Sequence, residues 1–259
     1  MKKVIFLFAH PDDEFACSVR IRRHVDRGDA VYCVYLTEGG YGGQSIARRE
    51  AESTKALSLL GLAPECIRFF GRTHGFRDGS LHECMGPAAE VLGSFIQTIG
   101  SVSTIYVPAW EGGHQDHDAC HLIGAIAAAR AGIARQLQYP LYHGAGLVGP
   151  FFRVIAPLAE NGPSEYVQAT AMERVGAIRL CMCFGSQWRT WLGLLPFFTM
   201  KMLFSGRFPV QTIEIRRWRQ PPHEGRLLYE RRGFLRYDTF AQSAAQFLAE
   251  YPGSPAIAP

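Results

Sequence analysis

The sequence predicts an α/β fold: a Rossmann-like, mostly parallel sheet flanked by helices, followed by a less regular C-terminal lobe. Strand and helix signals alternate through about residue 145, which implies a parallel sheet with helices on both faces. Two of the runs, Val4-Ile5-Phe6-Leu7-Phe8 and Thr104-Ile105-Tyr106-Val107-Pro108, read as buried strands, and each leads into a string of ionisable residues. In an open parallel sheet the carboxyl ends of neighbouring strands share one crevice, where ligands bind.

Strands are expected near 3–9, 31–37, 66–70, 103–108 and 136–142, and helices near 13–27, 44–60, 83–99 and 116–132. The first helix places Phe15, Val19, Ile21 and Val25 on an inward face, with Gly28 positioned to stop it. After about residue 145 the regularity fails. Gly144 to Pro163 reads as loop, a helix is expected from Met172 to Phe184, and Trp188 to Phe208 is an apolar, aromatic stretch interrupted by Pro196. A Pro-rich tail after Tyr251 reads as a frayed end. The chain thus divides into a catalytic core, 1–145, and a C-terminal part, 146–259, completing the same domain with a lid-like segment at 188–219.

The chemistry sits in Ala9-His10-Pro11-Asp12-Asp13-Glu14 and Gly113-His114-Gln115-Asp116-His117, which follow the first and fourth expected strands. Two neutral imidazoles and one carboxylate make a three-ligand zinc site with an open position. The remaining carboxylate is free to act as a base, and that combination suggests hydrolysis. Pro11 fixes φ at the turn, and Asp12 and Asp13 are expected in the first helical turn, where the dipole favours carboxylates. Adjacent helical side chains diverge by about 100°, so one of the two binds metal while the other faces the water. His114 and His117, three apart, share one face of a starting helix, and Asp116 is read as holding an imidazole tautomer from outside the ligand set. Glu14 reads either as a helix-start residue or as a partner behind the ligands. His121 reads as a helix-face residue, and His74 and His82 as solvent-facing.

The chain resembles the PIG-L/LmbE family of zinc-dependent de-N-acetylases, whose hallmark is A-H-P-D-D-E followed later by G-H-x-D-H. Leu36-Thr37-Glu38-Gly39-Gly40, the helix Arg49-Glu50-Ala51-Glu52 running to Leu60-Gly61, Asp78-Gly79-Ser80-Leu81 and Ser186-Gln187 extend the likeness. It is dense over roughly residues 1–130 and thin thereafter. The family's Lys and His ahead of the Ser-Gln pair have no clear counterpart between Ala177 and Gly185. The resemblance implies His10, Asp13 and His117 as zinc ligands and Asp12 as the general base. It implies His114 as the group that polarises the acetamide oxygen or protonates the leaving amine. Arg49 and Asp78 would bind the substrate, Arg49 through hydroxyl or phosphate contacts and Asp78 through sugar hydroxyls. Two His and one Asp would also accept Fe2+ or Co2+.

Composition fits a globular enzyme: 47% of the 259 residues are hydrophobic and 19% charged, within the ordinary range. Seven cysteines without a C-x-x-C pair read as reduced, buried side chains, which favours a cytoplasmic setting. The five apolar residues after Lys2-Lys3 are too few for a signal sequence, and no segment is long enough to span a bilayer. Between Arg189 and Arg236 ten Lys/Arg face three Glu, an excess of seven in a chain whose net charge is +4. A lid or a subunit interface of a homo-oligomer explains the aromatics there. A surface reaching anionic lipid headgroups or a lipid-linked substrate, peripheral to a membrane, explains both aromatics and charge. No nucleic-acid motif accompanies the charge.

The expected activity is removal of an N-acetyl group from an N-acetylglucosamine-type sugar or glycoconjugate. The alternatives are an amidase for a larger acyl or thiol-conjugate amide, and a sugar- or nucleotide-binding module without turnover. The module reading gives no use for Asp12, and no G-x-G-x-x-G follows the first strand.

Overall fold

The computed structural model describes residues 1–251, so the expected frayed tail lies outside the described residues. In chain order the elements are β1 (Lys3–Phe8), α1 (Ser18–Asp26), β2 (Ala30–Tyr35), α2 (Ile46–Leu59), β3 (Ile67–Phe69), α3 (Phe70–His74), α4 (Met85–Ile99), β4 (Thr104–Pro108), α5 (Gln115–Arg130) and β5 (Arg135–Tyr139). There follow β6 (Tyr142–His143), β7 (Arg153–Val154), β8 (Ser164–Gln168), α6 (Ala171–Cys181), α7 (Trp188–Phe204), β9 (Arg207–Thr212), α8 (Leu228–Arg231) and α9 (Tyr237–Glu250).

The sheet order is β3-β2-β1-β4-β5-β9-β8, with the first five strands parallel and β9 and β8 antiparallel. From β1 the chain winds outward to β2 and β3, then returns to the other side of β1 as β4. That reversal leaves a crevice beyond the carboxyl ends of β1 and β4. β1 shows why both of its faces are apolar. Val4, Phe6 and Phe8 pack toward α1, α6 and α7, while Ile5, Leu7 and Ala9 pack toward α4, α5 and α9. A strand buried on both sides reads as an unbroken apolar run.

The first five expected strands and the four core helices are present within a few residues. The expected first helix opens as a 3-10 turn over Asp13–Cys17 and becomes α1 only at Ser18. Asp12 lies outside it with φ 113°, in the left-handed region that Asp tolerates better than most side chains. α3, β8, β9, α8 and α9 are additions, and β7 falls inside the expected loop. Pro196 does not interrupt the aromatic segment; α7 runs through it. His82, expected to face solvent, is buried, with its ring 6.4 Å from that of Phe240 on α9. All seven cysteines are free thiols.

Candidate active site

His10, Asp12, Asp13, Arg49, Asp78 and His114 line a cavity of about 190 Å³ above the β1–β4 crevice, and His117, Glu14 and Asp116 each touch one of them. Glu14 and Asp116 stand behind it. Pro11 and Asp12 turn the chain sharply after β1, so that Asp13 folds back over the end of the strand. Asp13 Oδ2 accepts from the backbone N–H groups of Ala9 (3.1 Å) and His10 (2.9 Å). Its other oxygen is thereby aimed at His117 Nε2, 3.1 Å away. His117 Nε2 in turn lies 3.3 Å from His10 Nδ1. Bonds of about 2.0–2.1 Å in a tetrahedral zinc shell put neighbouring ligand atoms about 3.3 Å apart. These three buried atoms therefore fit such a cation.

The far side of His10 explains its orientation. Nε2 lies 3.1 Å from Asp116 Oδ2 and 3.2 Å from Asp78 Oδ1, which fixes the proton on Nε2 and leaves the Nδ1 lone pair toward His117 and Asp13. Asp116 is itself held by the N–H groups of Gly79 (2.6 Å) and Leu81 (3.0 Å). A second group of side chains able to hold an ion, His10, Asp78, His114 and Asp116, uses these same carboxylates. Asp116 is tied to backbone N–H groups and Asp78 Oδ2 to Arg49. Burial works against charge on His10, but Asp78, Asp116 and Asp13 outweigh it and hold its pKa well above the ordinary value. Burial likewise opposes the Asp13 carboxylate, and His117 and His10 overcome it, keeping that carboxyl well below the usual range. Asp116→Asn should weaken metal affinity roughly 10–100-fold, the usual effect of losing such a partner. Titration of zinc into the metal-free variant checks this, and an unchanged affinity would show that Asp116 does not orient His10.

Asp12 is held differently. Its N–H donates to Glu14 Oε2 (2.9 Å), and its Oδ1 accepts from Arg49 Nη2 (3.2 Å). Burial pushes the Asp12 carboxyl up to about 7 against the pull of Arg49, and pushes Glu14 up to about 8. Arg49 is buried and donates also to the carbonyls of Pro11 (2.6 Å) and Gly39 (2.7 Å) and to Asp78 (3.2 Å). Glu38 accepts from the Asp78 N–H (3.0 Å), and Thr37 Oγ1 donates to the Ala9 carbonyl (2.7 Å). The segments singled out in the sequence thus converge on one hydrogen-bonded frame.

His114 is not inside α5, as its spacing from His117 suggested, but caps it. Its Nδ1 accepts from the Asp116 N–H at 3.2 Å. The neutral ring must then carry its proton on Nε2. Burial, reinforced by His10, lowers its pKa to about 3. A Cβ at Gly113 would run into the Tyr142 carbonyl, so only glycine allows this approach of the loop to β6.

Sequence reasoning missed the supports of this loop. Asp118 Oδ1 accepts from Glu111 N–H (3.2 Å) and Gly112 N–H (3.1 Å), and Glu111 Oε1 accepts from Leu141 and Tyr142 N–H, each at 2.8 Å. Burial raises both carboxyls, Asp118 to about 7 and Glu111 to about 8. Asp118 adjoins the recognised string and was within reach of the reading. Most of the walls of the cavity were not: Tyr142, Trp191, Leu194, Arg232 and Phe234 come from segments without a recognisable pattern. Ser186 Oγ donates to Glu52 (2.6 Å) and Gln187 Nε2 to Gln44, which pins the start of α7 onto the α2 region.

Fold and site together define a class: Rossmann-like α/β proteins whose switch-point crevice holds a buried cluster of histidines and aspartates suited to a cation. Residues 5–128 match the model of the GlcNAc-PI de-N-acetylase (PIG-L) family. The chain is similar to the uncharacterized deacetylase YaiS of Escherichia coli K12, with 26% identity over 127 residues, which is 49% of this chain and 68% of that protein. Its fold is similar to the zinc-inhibited form of teicoplanin deacetylase Orf2, with a TM-score of 0.62 at 14% identity over 82% of this chain and 99% of the other. It is also similar to N,N'-diacetylchitobiose deacetylase from Pyrococcus horikoshii, with a TM-score of 0.54 at 17% identity over 82% and 84% of the two chains.

Proposed function

We propose that this protein is a metal-dependent hydrolase that removes an N-acetyl group from an N-acetylglucosamine-type sugar or glycoconjugate, releasing acetate and a free amine. The reading rests on one observation above all. His10, Asp13 and His117 converge within ligand distance of one another beside a carboxylate, Asp12, that has one oxygen without a hydrogen-bond partner among the described residues. His10, Asp13 and His117 would hold zinc, or Fe2+ or Co2+ in its place. When bound, the metal would acidify water and polarise the amide carbonyl. Asp12, anchored through Oδ1 by Arg49, takes the water's proton and holds it beside the departing nitrogen, which must be protonated to leave. His114 donates its Nε2 hydrogen to the carbonyl oxygen as negative charge builds there. Arg49 and Asp78 line the cavity, so contacts to sugar hydroxyls come from groups already fixed by protein hydrogen bonds.

Acetate release from free, inositol-linked, malate-linked, nucleotide-linked and lipid-linked N-acetylglucosaminides, with and without zinc, tests the reading. Release from none of them by a zinc-loaded enzyme would move the assignment to larger amides.

A second reading concerns where the enzyme works. α7 buries Trp191, Leu194, Phe198 and Met202, and its opposite face is also apolar: Trp188 is 57% exposed, Leu192 67%, Leu203 64% and Phe204 83%. A helix that is apolar all round calls for an apolar environment on both sides. No helix among the described residues is long and apolar enough to cross a membrane. We infer that this face lies on the surface of an anionic bilayer, with Arg189 beside Trp188 at the headgroup level and the substrate lipid-linked. The protein should cosediment with anionic vesicles at low salt, and a Leu192→Asp, Leu203→Asp double variant should not. Equal pelleting of both would dismiss the face as the docking surface.

A further inference from the structure

A second cavity, of about 450 Å³, lies at the opposite end of the sheet. Lys2 precedes β1, Asp29 precedes β2, and Thr104 and Arg135 begin β4 and β5, so the cavity opens at the amino edge of the parallel strands. One wall is the α1 side, with Arg20, Arg23, His24 and Arg27. Five of the lining side chains are Lys or Arg, and one, Asp29, is acidic.

Not all of that charge is free. Arg23 is paired with Glu173 at 2.8 Å and Arg135 with Glu165 at 2.5 Å. Arg27 is paired with Asp29 at 3.5 Å, which leaves Lys2 and Arg20, an excess of two positive charges. Arg20 is the informative one. It is 8% exposed, and through Nη2 it donates to the carbonyls of Phe208 (3.0 Å) and Glu165 (3.3 Å). None of the ion pairs among the described residues includes it, and its Nε has no hydrogen-bond partner. A buried guanidinium ordinarily has an anion beside it, because removing it from water unpaired is costly. Its planar fork suits a phosphate or carboxylate. The rest of the surface is rich in donors, with Thr104 and the Tyr106 hydroxyl near His24 (3.1 Å).

We propose that this cavity binds a small phosphate monoester, with the phosphate on Arg20 between Lys2 and Arg27. A phosphate monoester carries about −1.5 to −2 charges at neutral pH, matching the excess, and the volume leaves room for a sugar-sized body. The test is calorimetric titration of the full metal-loaded chain with glucose 6-phosphate and, separately, inorganic phosphate. Lys2→Glu, Arg27→Glu provides the comparison: both side chains are exposed, so the fold is kept, and an unchanged melting temperature verifies this. Saturable binding of glucose 6-phosphate, or of both probes, that weakens more than tenfold in the double variant is the expected result. Binding that survives unchanged in the variant would place the anion elsewhere, at the catalytic metal for instance, and overturn the proposal. Absence of binding by both probes to the unaltered chain would overturn it equally.

Discussion

Asp12→Asn should lower turnover by roughly 10²–10⁴-fold, the range general-base catalysis contributes, while zinc binding and substrate binding persist. The substitution is nearly isosteric. Asn accepts the left-handed backbone that Asp12 adopts at φ 113°, so the turn between β1 and the 3-10 segment is retained. Its amide oxygen can still accept from Arg49, and its N–H can still donate to Glu14. Only the capacity to take a proton is lost. Activity should be read as acetate release, zinc as bound metal per chain, and substrate affinity with unhydrolysed N-acetyl sugar. Retained turnover with one zinc bound would remove Asp12 as the base. Lost zinc would show that Asp12, rather than Asp13, serves the metal.

Zinc should stabilise the metal-free protein strongly, and His117→Ala should abolish the effect. At a thousand times its dissociation constant, a ligand that binds only the folded state adds about 4 kcal/mol. In a chain of this size that corresponds to a rise on the order of 10 °C in melting temperature. The physical source is visible in the crevice. His10 Nδ1 and His117 Nε2 are 3.3 Å apart, buried, with their lone pairs converging beside Asp13. The comparison is the difference between melts with and without zinc, so any loss of packing in the variant cancels. A variant that keeps the full zinc increment would exclude His117 as a ligand.

The parallel half of the fold was legible because its signals are local. β1 and β4 are unbroken apolar runs, and the strings that follow them act within a few residues, Asp13 on His10 and His114 on Asp116. β9 was not legible, since Arg207-Phe208-Pro209-Val210 places a proline inside a strand, which argues against one. Its two partners, β5 and β8, supply the context that overrides this. Pro196 misled in the same way within α7. Burial of His82 depends on α9, more than 150 residues away, and the hold of Asp116 on His10 depends on a loop from a third segment. Spacing along the chain carries none of that.

The cavity has two authors. Its floor, His10, Asp12, Asp13 and His114, falls within residues 5–128, the stretch that matches the family model; Tyr142, Trp191, Leu194, Arg232 and Phe234 come from beyond it. The Ser186–Glu52 hydrogen bond is the seam where the two are joined. The part of the wall that comes from beyond residue 128 can therefore change while the floor stays, as in a tool with a fixed engine and an exchangeable jaw. New substrates for this scaffold are best sought by recasting the segments after residue 141 while Glu52 and Gln44, which dock them, are left alone.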